Sequence, residues 1–145
     1  MSSKIRIKDI KIQIHKVAWR LAVNHWGGYG YRLCKMPPDG ISDLTEECFQ
    51  QNHMDFVGDK QWVVFNAEPE EREEVNATRT REGTFPLNSQ WTEIPVEWKD
   101  RRAVHILDKV QVPVNLEPGK YVLSFRWDCY VTSQIWNACA NIEII

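Results

Sequence analysis

The chain alternates apolar and polar residues over several long stretches, the period-2 pattern of strands that bury one face. Ile10, Ile12 and Ile14 form one run, Val17, Trp19, Leu21 and Val23 a second, and Tyr121, Leu123, Phe125 and Trp127 a third. Shorter strand candidates lie at 61–65, 75–80, 104–112 and 142–145, set apart by Gly, Pro, Asn and Asp clusters that favour turns. One helix is predicted over 44–51, because Asp43 can cap its free amides and Glu46 three residues on completes a capping-box pattern. The charged run 68–74 contains Pro69 and reads as a solvated loop, and Pro118-Gly119 marks a tight turn into the third run. No internal repeat, linker or low-complexity tract divides the 145 residues, so residues 1–145 are expected to form a single domain. Many short strands at this spacing predict an all-β fold: an immunoglobulin- or fibronectin-like antiparallel β-sandwich with one short helix in a loop.

Charge and composition exclude some partners. Lys and Arg number 18 against 20 Asp and Glu, a formal net charge of −2, which provides no basic field for a phosphate backbone or an anionic membrane. Nucleic acid and membrane are therefore not expected as partners. The apolar stretch 135–145 is broken by Asn137, Asn141 and Glu143 and is too short to span a bilayer. The opening Met1-Ser2-Ser3-Lys4 and the Ile and Lys/Arg alternation after it lack the continuous apolar core of a signal peptide. Four cysteines form two near pairs by sequence, Cys34 with Cys48 and Cys129 with Cys139, in no CxxC zinc spacing. An even count suits two disulfides, with three pairings open, and buried free thiols are the alternative. A bridge across a hairpin centred on Gln134 would set Arg126 opposite Ile142, so a Cys129–Cys139 bond requires a bulge or a different pairing.

Chemistry-bearing residues are few. His25 falls where an alternating strand runs into Trp26-Gly27-Gly28-Tyr29-Gly30-Tyr31, beside aromatic rings suited to stacking on sugars. A lone strand-end histidine is most often a plain surface residue, and His53 and His105 are read as such. Of the aromatics, Trp26 is expected to be exposed, whereas Tyr31, Trp19, Trp62, Trp91 and Trp127 are expected in the core. Asn76-Ala77-Thr78 is an N-glycosylation acceptor sequence.

Two longer segments carry a resemblance. Ala18-Trp19-Arg20-Leu21-Ala22-Val23-Asn24-His25 running on to Cys34, and Phe125-Arg126-Trp127-Asp128-Cys129 through Gln134-Ile135-Trp136-Asn137-Ala138-Cys139, resemble lytic polysaccharide monooxygenases of the chitin-binding type-4 kind. The N-terminal segment is similar to the strand that carries their second copper-ligating histidine, here His25. The C-terminal segment is similar to their closing hairpin, with Gln134 matching a glutamine near the copper's axial site and Trp136 standing where the family usually has Tyr or Phe. The resemblance implies an extracellular protein that acts on insoluble chitin or cellulose, with Trp26 and Tyr29 on the substrate face. It also implies copper, held by a terminal amine, the imidazole of the same first residue, and one further histidine. Residue 1 here is Met1, which has no imidazole. The expectation is a family member lacking the family's N-terminal part: oxidative cleavage only if a longer form supplies that histidine, and otherwise a non-catalytic polysaccharide-binding or extracellular structural module.

Overall fold

The computed structural model describes residues 3–5, 13–65, 69–95 and 104–145. The strands are β1 (Ser3–Ile5), β2 (Gln13–Leu21), β3 (Gly28–Lys35), β4 (Asp55–Phe56), β5 (Lys60–Phe65) and β6 (Arg72–Asn76). They continue with β7 (Arg79–Thr80), β8 (Trp91–Glu93), β9 (Val104–Val112), β10 (Gly119–Asp128) and β11 (Ile135–Ile144), and one helix, α1 (Glu46–Gln51), follows β3. A larger sheet orders β1-β11-β10-β3-β8-β7, and a smaller one β2-β9-β5-β6 with β4 also on β9. Every pairing is antiparallel except β1, which runs parallel to β11. The chain is an all-β sandwich with one short helix in a loop.

Side-chain period explains the two layers. In β9, Val104, Ile106, Asp108, Val110 and Val112 point into the core, while His105, Leu107, Lys109 and Gln111 are only half-buried. β3 is buried on both faces: Tyr29, Tyr31 and Leu33 meet the core, and Arg32 and Cys34 lie under α1. Phe49 of α1 packs with Cys34 and Val122, and the Cys34–Cys48 disulfide, with Cα atoms 5.4 Å apart, fastens the helix to the sheet. Buried Arg32 pairs with Glu46 at the helix start and donates to Ser124 Oγ at 3.2 Å.

Several elements differ from the sequence reading. The helix begins at Glu46, capped by Thr45 Oγ1 accepting from Cys48 N at 3.2 Å, because Asp43 closes a preceding 3-10 turn at Ile41–Asp43. Residues 14–21 belong to one strand, β2, and Val23 lies past its end, 60 % exposed; Ile10 and Ile12 fall outside the described residues. The expected strand 75–80 splits where Ala77 N turns aside to donate to Asp59 O at 2.8 Å. Glu73 and Glu74, expected in a loop, form the exposed edge strand β6, where carboxylates stay in solvent. β3 and β8 escaped the pattern. Gly28 and Gly30 interrupt the alternation in β3, and Gly30 is required because an added Cβ would stand 2.6 Å from the His53 ring. His53 is accordingly packed rather than a surface residue: its ring lies 5.2 Å from that of Trp91 and its Nε2 is 2.8 Å from Gln90 O. Trp62, expected in the core, is half-buried on the outer face, under Lys109 and bonded to Glu74 at 3.2 Å.

One polar group sits at the centre of the core. Asp108 on β9 accepts from the Tyr29 and Tyr31 hydroxyls, each at 2.9 Å, and Gln61 of β5 donates to the Tyr29 hydroxyl. Burial pushes the Asp108 carboxyl up to about 6, with the two tyrosines and the Arg79 charge pulling the other way. The same burial, with the Asp108 charge, raises both tyrosines well above their ordinary value, so they remain donors.

The unfolded carboxyl ionises near 3.8 and the folded one near 6. The stability it contributes is therefore fully present below the unfolded value and lost as pH rises through the folded one, about 3 kcal/mol in all. Urea unfolding at about pH 4 and about pH 7 is expected to show the native chain losing about 2 kcal/mol more than Asp108→Asn across the interval, the larger part of that contribution. Equal losses in the two proteins would contradict this account of the core.

Candidate functional site: an open groove at the sandwich edge

Among the described residues the two sheets do not close along one side. β2 is the edge of the smaller sheet, and β11 is flanked by β1 only from Ile142 to Ile144. Residues 135–141 of β11 are all exposed, and among the described residues no strand pairs with their outer edge or with that of β2. A groove of about 770 Å³ runs between these two edges. Its floor is Trp19, Leu123, Phe125 and Trp127, with the Trp19 ring 4.5 Å from Phe125 and 5.7 Å from Trp127. Trp136, Ala138 and Ala140 pair with Trp127, Phe125 and Leu123 and continue that floor along β11. His15, Lys16 and Arg20 stand along the β2 side.

The β2–β3 loop closes one end. Asn24 Oδ1 accepts from Trp26 N at 2.8 Å, and this turn places Trp26 at φ 54 and Gly27 at φ 106. Gly27 is pressed against β10: a Cβ there would stand 2.0 Å from Asp128 O. The loop is bonded on three sides, by Trp127 Nε1 to Trp26 O at 2.8 Å, Ile94 N to Gly27 O at 3.2 Å and Val131 N to His25 O at 3.3 Å. The His25 ring is thereby held 5.9 Å from that of Trp127, at the mouth of the groove.

Of the site residues singled out in the sequence, His25, Trp136 and Cys139 line this one groove, with Trp19, Tyr31 and Trp127 of the core also reaching it, and Trp136 is 50 % exposed. Trp26 is partly exposed beside them, and Tyr31 is in the core as expected. Gln134 is not on the groove: it lies in the exposed β10–β11 loop, its Oε1 accepting from Thr132 Oγ1 at 3.2 Å. Tyr29 is not on a substrate face either, because its side chain points into the core and its hydroxyl is spent on Asp108. Cys129 and Cys139 are free thiols. The hairpin register sets Cys139 opposite Ser124 while Cys129 lies past Asp128, which excludes the bridge considered from sequence. Burial, then the Asp128 charge, raises the Cys129 thiol above its ordinary value. The sequence reading passed over Lys16, Arg20, Tyr130 and the small residues of β11; for the last, the signal was the uncharged run 135–142.

The residues present do not fit a copper brace. Among the described residues no cluster of three or more His, Cys, Asp or Glu could hold a metal ion. The other imidazole in the groove, His15, lies on β2 and burial lowers its pKa. Ser3, the first described residue, pairs with Ile142, roughly 20 Å down β11 from Trp136 at the usual strand rise.

No family model and no curated protein matches the chain. Among solved structures it is similar to a family 123 glycoside hydrolase from Clostridium perfringens, with 12 % identity and a TM-score of 0.40 over 100 % of this chain and 22 % of that one. It is also similar to AggA, the major subunit of aggregative adherence fimbriae type I from Escherichia coli, with 8 % identity and a TM-score of 0.28 over 99 % of this chain and 89 % of that one. Thus the chain spans about a fifth of the hydrolase's length, and at these scores neither likeness bears on what it does.

Copper(II) is expected to bind this chain no more tightly than its His25→Ala variant in isothermal titration; a difference of about tenfold or more would contradict the misfit described above. Gly27→Ala combines a left-handed backbone with overlap on the Asp128 carbonyl. It is expected to cost at least about 2 kcal/mol in denaturant unfolding, and a change within about 0.5 kcal/mol would show that the loop is not pinned as described.

Proposed function

We propose that this chain is a non-catalytic polysaccharide-binding module that keeps the sandwich of the family it resembles without the copper brace. The observation that carries the reading is a group of exposed rings at one end of the groove: Trp26 at 37 %, Tyr130 at 68 % and Trp136 at 50 % exposure. They belong to one region of the fold. Val131 N bonds His25 O to join the two loops, and Trp127, the cross-strand partner of Trp136, bonds Trp26 O. Large rings left in solvent on a backbone this firmly tied are suited to stacking on the apolar faces of sugars, with His25 and Asn137 on the groove to bond hydroxyls. The ligand class is insoluble chitin or cellulose. An extracellular setting belongs to the proposal, since the Cys34–Cys48 disulfide suits an oxidising compartment.

A second reading rests on His25 and Trp136 lining the same groove. In it, a longer form that supplies an N-terminal histidine would hold copper and oxidise the polymer; this chain's own residues would contribute one imidazole and the floor beneath it.

Retention on chitin and cellulose beads distinguishes them. The native chain is expected to be retained on at least one polymer with or without a chelator, and Trp26→Ala/Tyr130→Ala to lower the affinity about tenfold. Absence of retention on both polymers, or undiminished retention of the double variant, would overturn the binding reading.

A further inference from the structure

We propose that the outer face of the smaller sheet binds an acidic polysaccharide, a polymer that carries sulfate or carboxylate groups on its sugars. This face is separate from the groove floor and from the exposed rings at the groove's end. Strand alternation turns Val17, Trp19, Val63, Val75 and Ile106 toward the core and leaves the residues between them outside. The pairing register sets those residues in rows across four strands. Arg20, His105, Val64 and Arg72 form one row, and Ala18, Leu107, Trp62 and Glu74 the next. Lys16 beside Lys109, and Lys60 beside Asn76, form a third. Five permanent cations, Lys16, Arg20, Lys60, Arg72 and Lys109, thus share one face of a chain whose net charge is −2. They make two bands about 14 Å apart at the usual strand rise, with the Ala18 row between them.

Without a partner such a face opposes folding. Lys16 lies directly across from Lys109, and like charges in that position destabilise a sheet. Among the described residues none of the five cations forms an ion pair with a carboxylate. Lys60 donates to the Asn76 side-chain oxygen, and the Lys109 ammonium stands 4.7 Å from the centre of the Trp62 ring. The described carboxylates on this face are already engaged: Glu74 accepts from Trp62 Nε1 at 3.2 Å, and Asp55, across from Gln111, accepts from Arg81 through both oxygens. A regular array of anions offsets the repulsion and complements both bands. Three observations favour a sugar polymer as its source. Val64, Trp62 and Leu107 are only half-buried, so the face lacks the exposed apolar centre on which a protein interface is built. Trp62 lies under Lys109, which leaves no free ring face to stack on the bases of a single-stranded nucleic acid. The Cys34–Cys48 disulfide suits an oxidising compartment, the setting also proposed above, where acidic polysaccharides rather than nucleic acids are the polyanions at hand.

The probes are dextran sulfate, polygalacturonate, uncharged dextran and a single-stranded DNA of matched charge, each titrated calorimetrically at low salt. At least one of the two acidic polysaccharides is expected to saturate the native chain, the tighter one naming the anion, while dextran does not bind. Affinity is expected to fall at least about tenfold between about 0.05 and about 0.3 M salt, because the contacts are exposed charges. Bound polymer is expected to raise the melting temperature. Lys16→Glu/Arg20→Glu, at two exposed positions, is expected to weaken binding at least about tenfold. Lys35→Glu/Lys120→Glu makes the same change of charge at exposed positions of the larger sheet and is expected to weaken it less than about threefold. Trp26→Ala/Tyr130→Ala is expected to keep this binding, so its loss and the loss of retention on chitin or cellulose are separate results. No saturable binding of either acidic polymer, DNA bound as tightly as both, or equal weakening by the two charge variants would each overturn the proposal.

Discussion

The contact on which the rest of this fold depends is the one between the Asp108 carboxyl and the hydroxyls of Tyr29 and Tyr31. Asp108 is on the smaller sheet and the tyrosines are two residues apart on the larger, so a single acceptor fixes the position of β3 against β9 along the strand direction. A shift of β3 by one residue would turn both hydroxyls out of the core and leave the carboxyl buried without partners, which is far more costly than a misplaced methyl group. Gln61 extends the contact to β5, and Arg79, bonded to Thr92 at 2.7 Å, brings its charge near from β7. With β3 fixed, its first residue is fixed, and the loop that precedes it must pass between β10 and β8. Gly27 is what lets it through. The positions of His25 and Trp26 are thus consequences of a polar contact deep in the core.

This dependence explains which parts were legible in the sequence. β9 buries one face over nine residues, and β10, although Val122 and Ser124 are buried on its second face, keeps large apolar residues at every other position of its core face, so Val104–Val112 and the run from Tyr121 to Trp127 announce themselves by period alone. β3 does not, because α1 covers its second face: buried residues follow one another from Tyr29 to Cys34, and the pattern merges with its glycines into what reads as a loop. Tyr29 was misplaced for the same reason. Its neighbours in sequence suggest a surface aromatic, and only the distant Asp108 shows why a hydroxyl belongs inside. The groove was legible in part: His25 and Trp136 stood out, while Lys16 and Arg20 resembled the routine polar side of an amphipathic strand.

The sheet edges differ in how they are guarded. Strands at sheet margins are usually guarded by charges, prolines or bulges against pairing with other chains. β6, one margin of the smaller sheet, carries Arg72, Glu73 and Glu74 in solvent. The free part of β11 reads Ile-Trp-Asn-Ala-Cys-Ala-Asn, without a charge or a proline, and its pairing with β10 runs without a bulge from Ile135 to Ile144. Among the described residues the chain thus guards β6 with charge and leaves the free part of β11 bare, beside an aromatic floor.

The groove is not uniform along its length. The exposed rings occupy the loop end, where backbone groups are already satisfied by the bonds from Trp127, Ile94 and Val131. What remains there is ring surface, which suits a ligand recognised by its apolar faces. Farther along, from Asn137 to Asn141, the side chains shrink to alanine and cysteine and the unsatisfied groups are those of the backbone itself. The chemistry of the groove therefore changes along its length from ring to backbone, and a ligand recognised by its apolar faces belongs to the loop end, where the rings are.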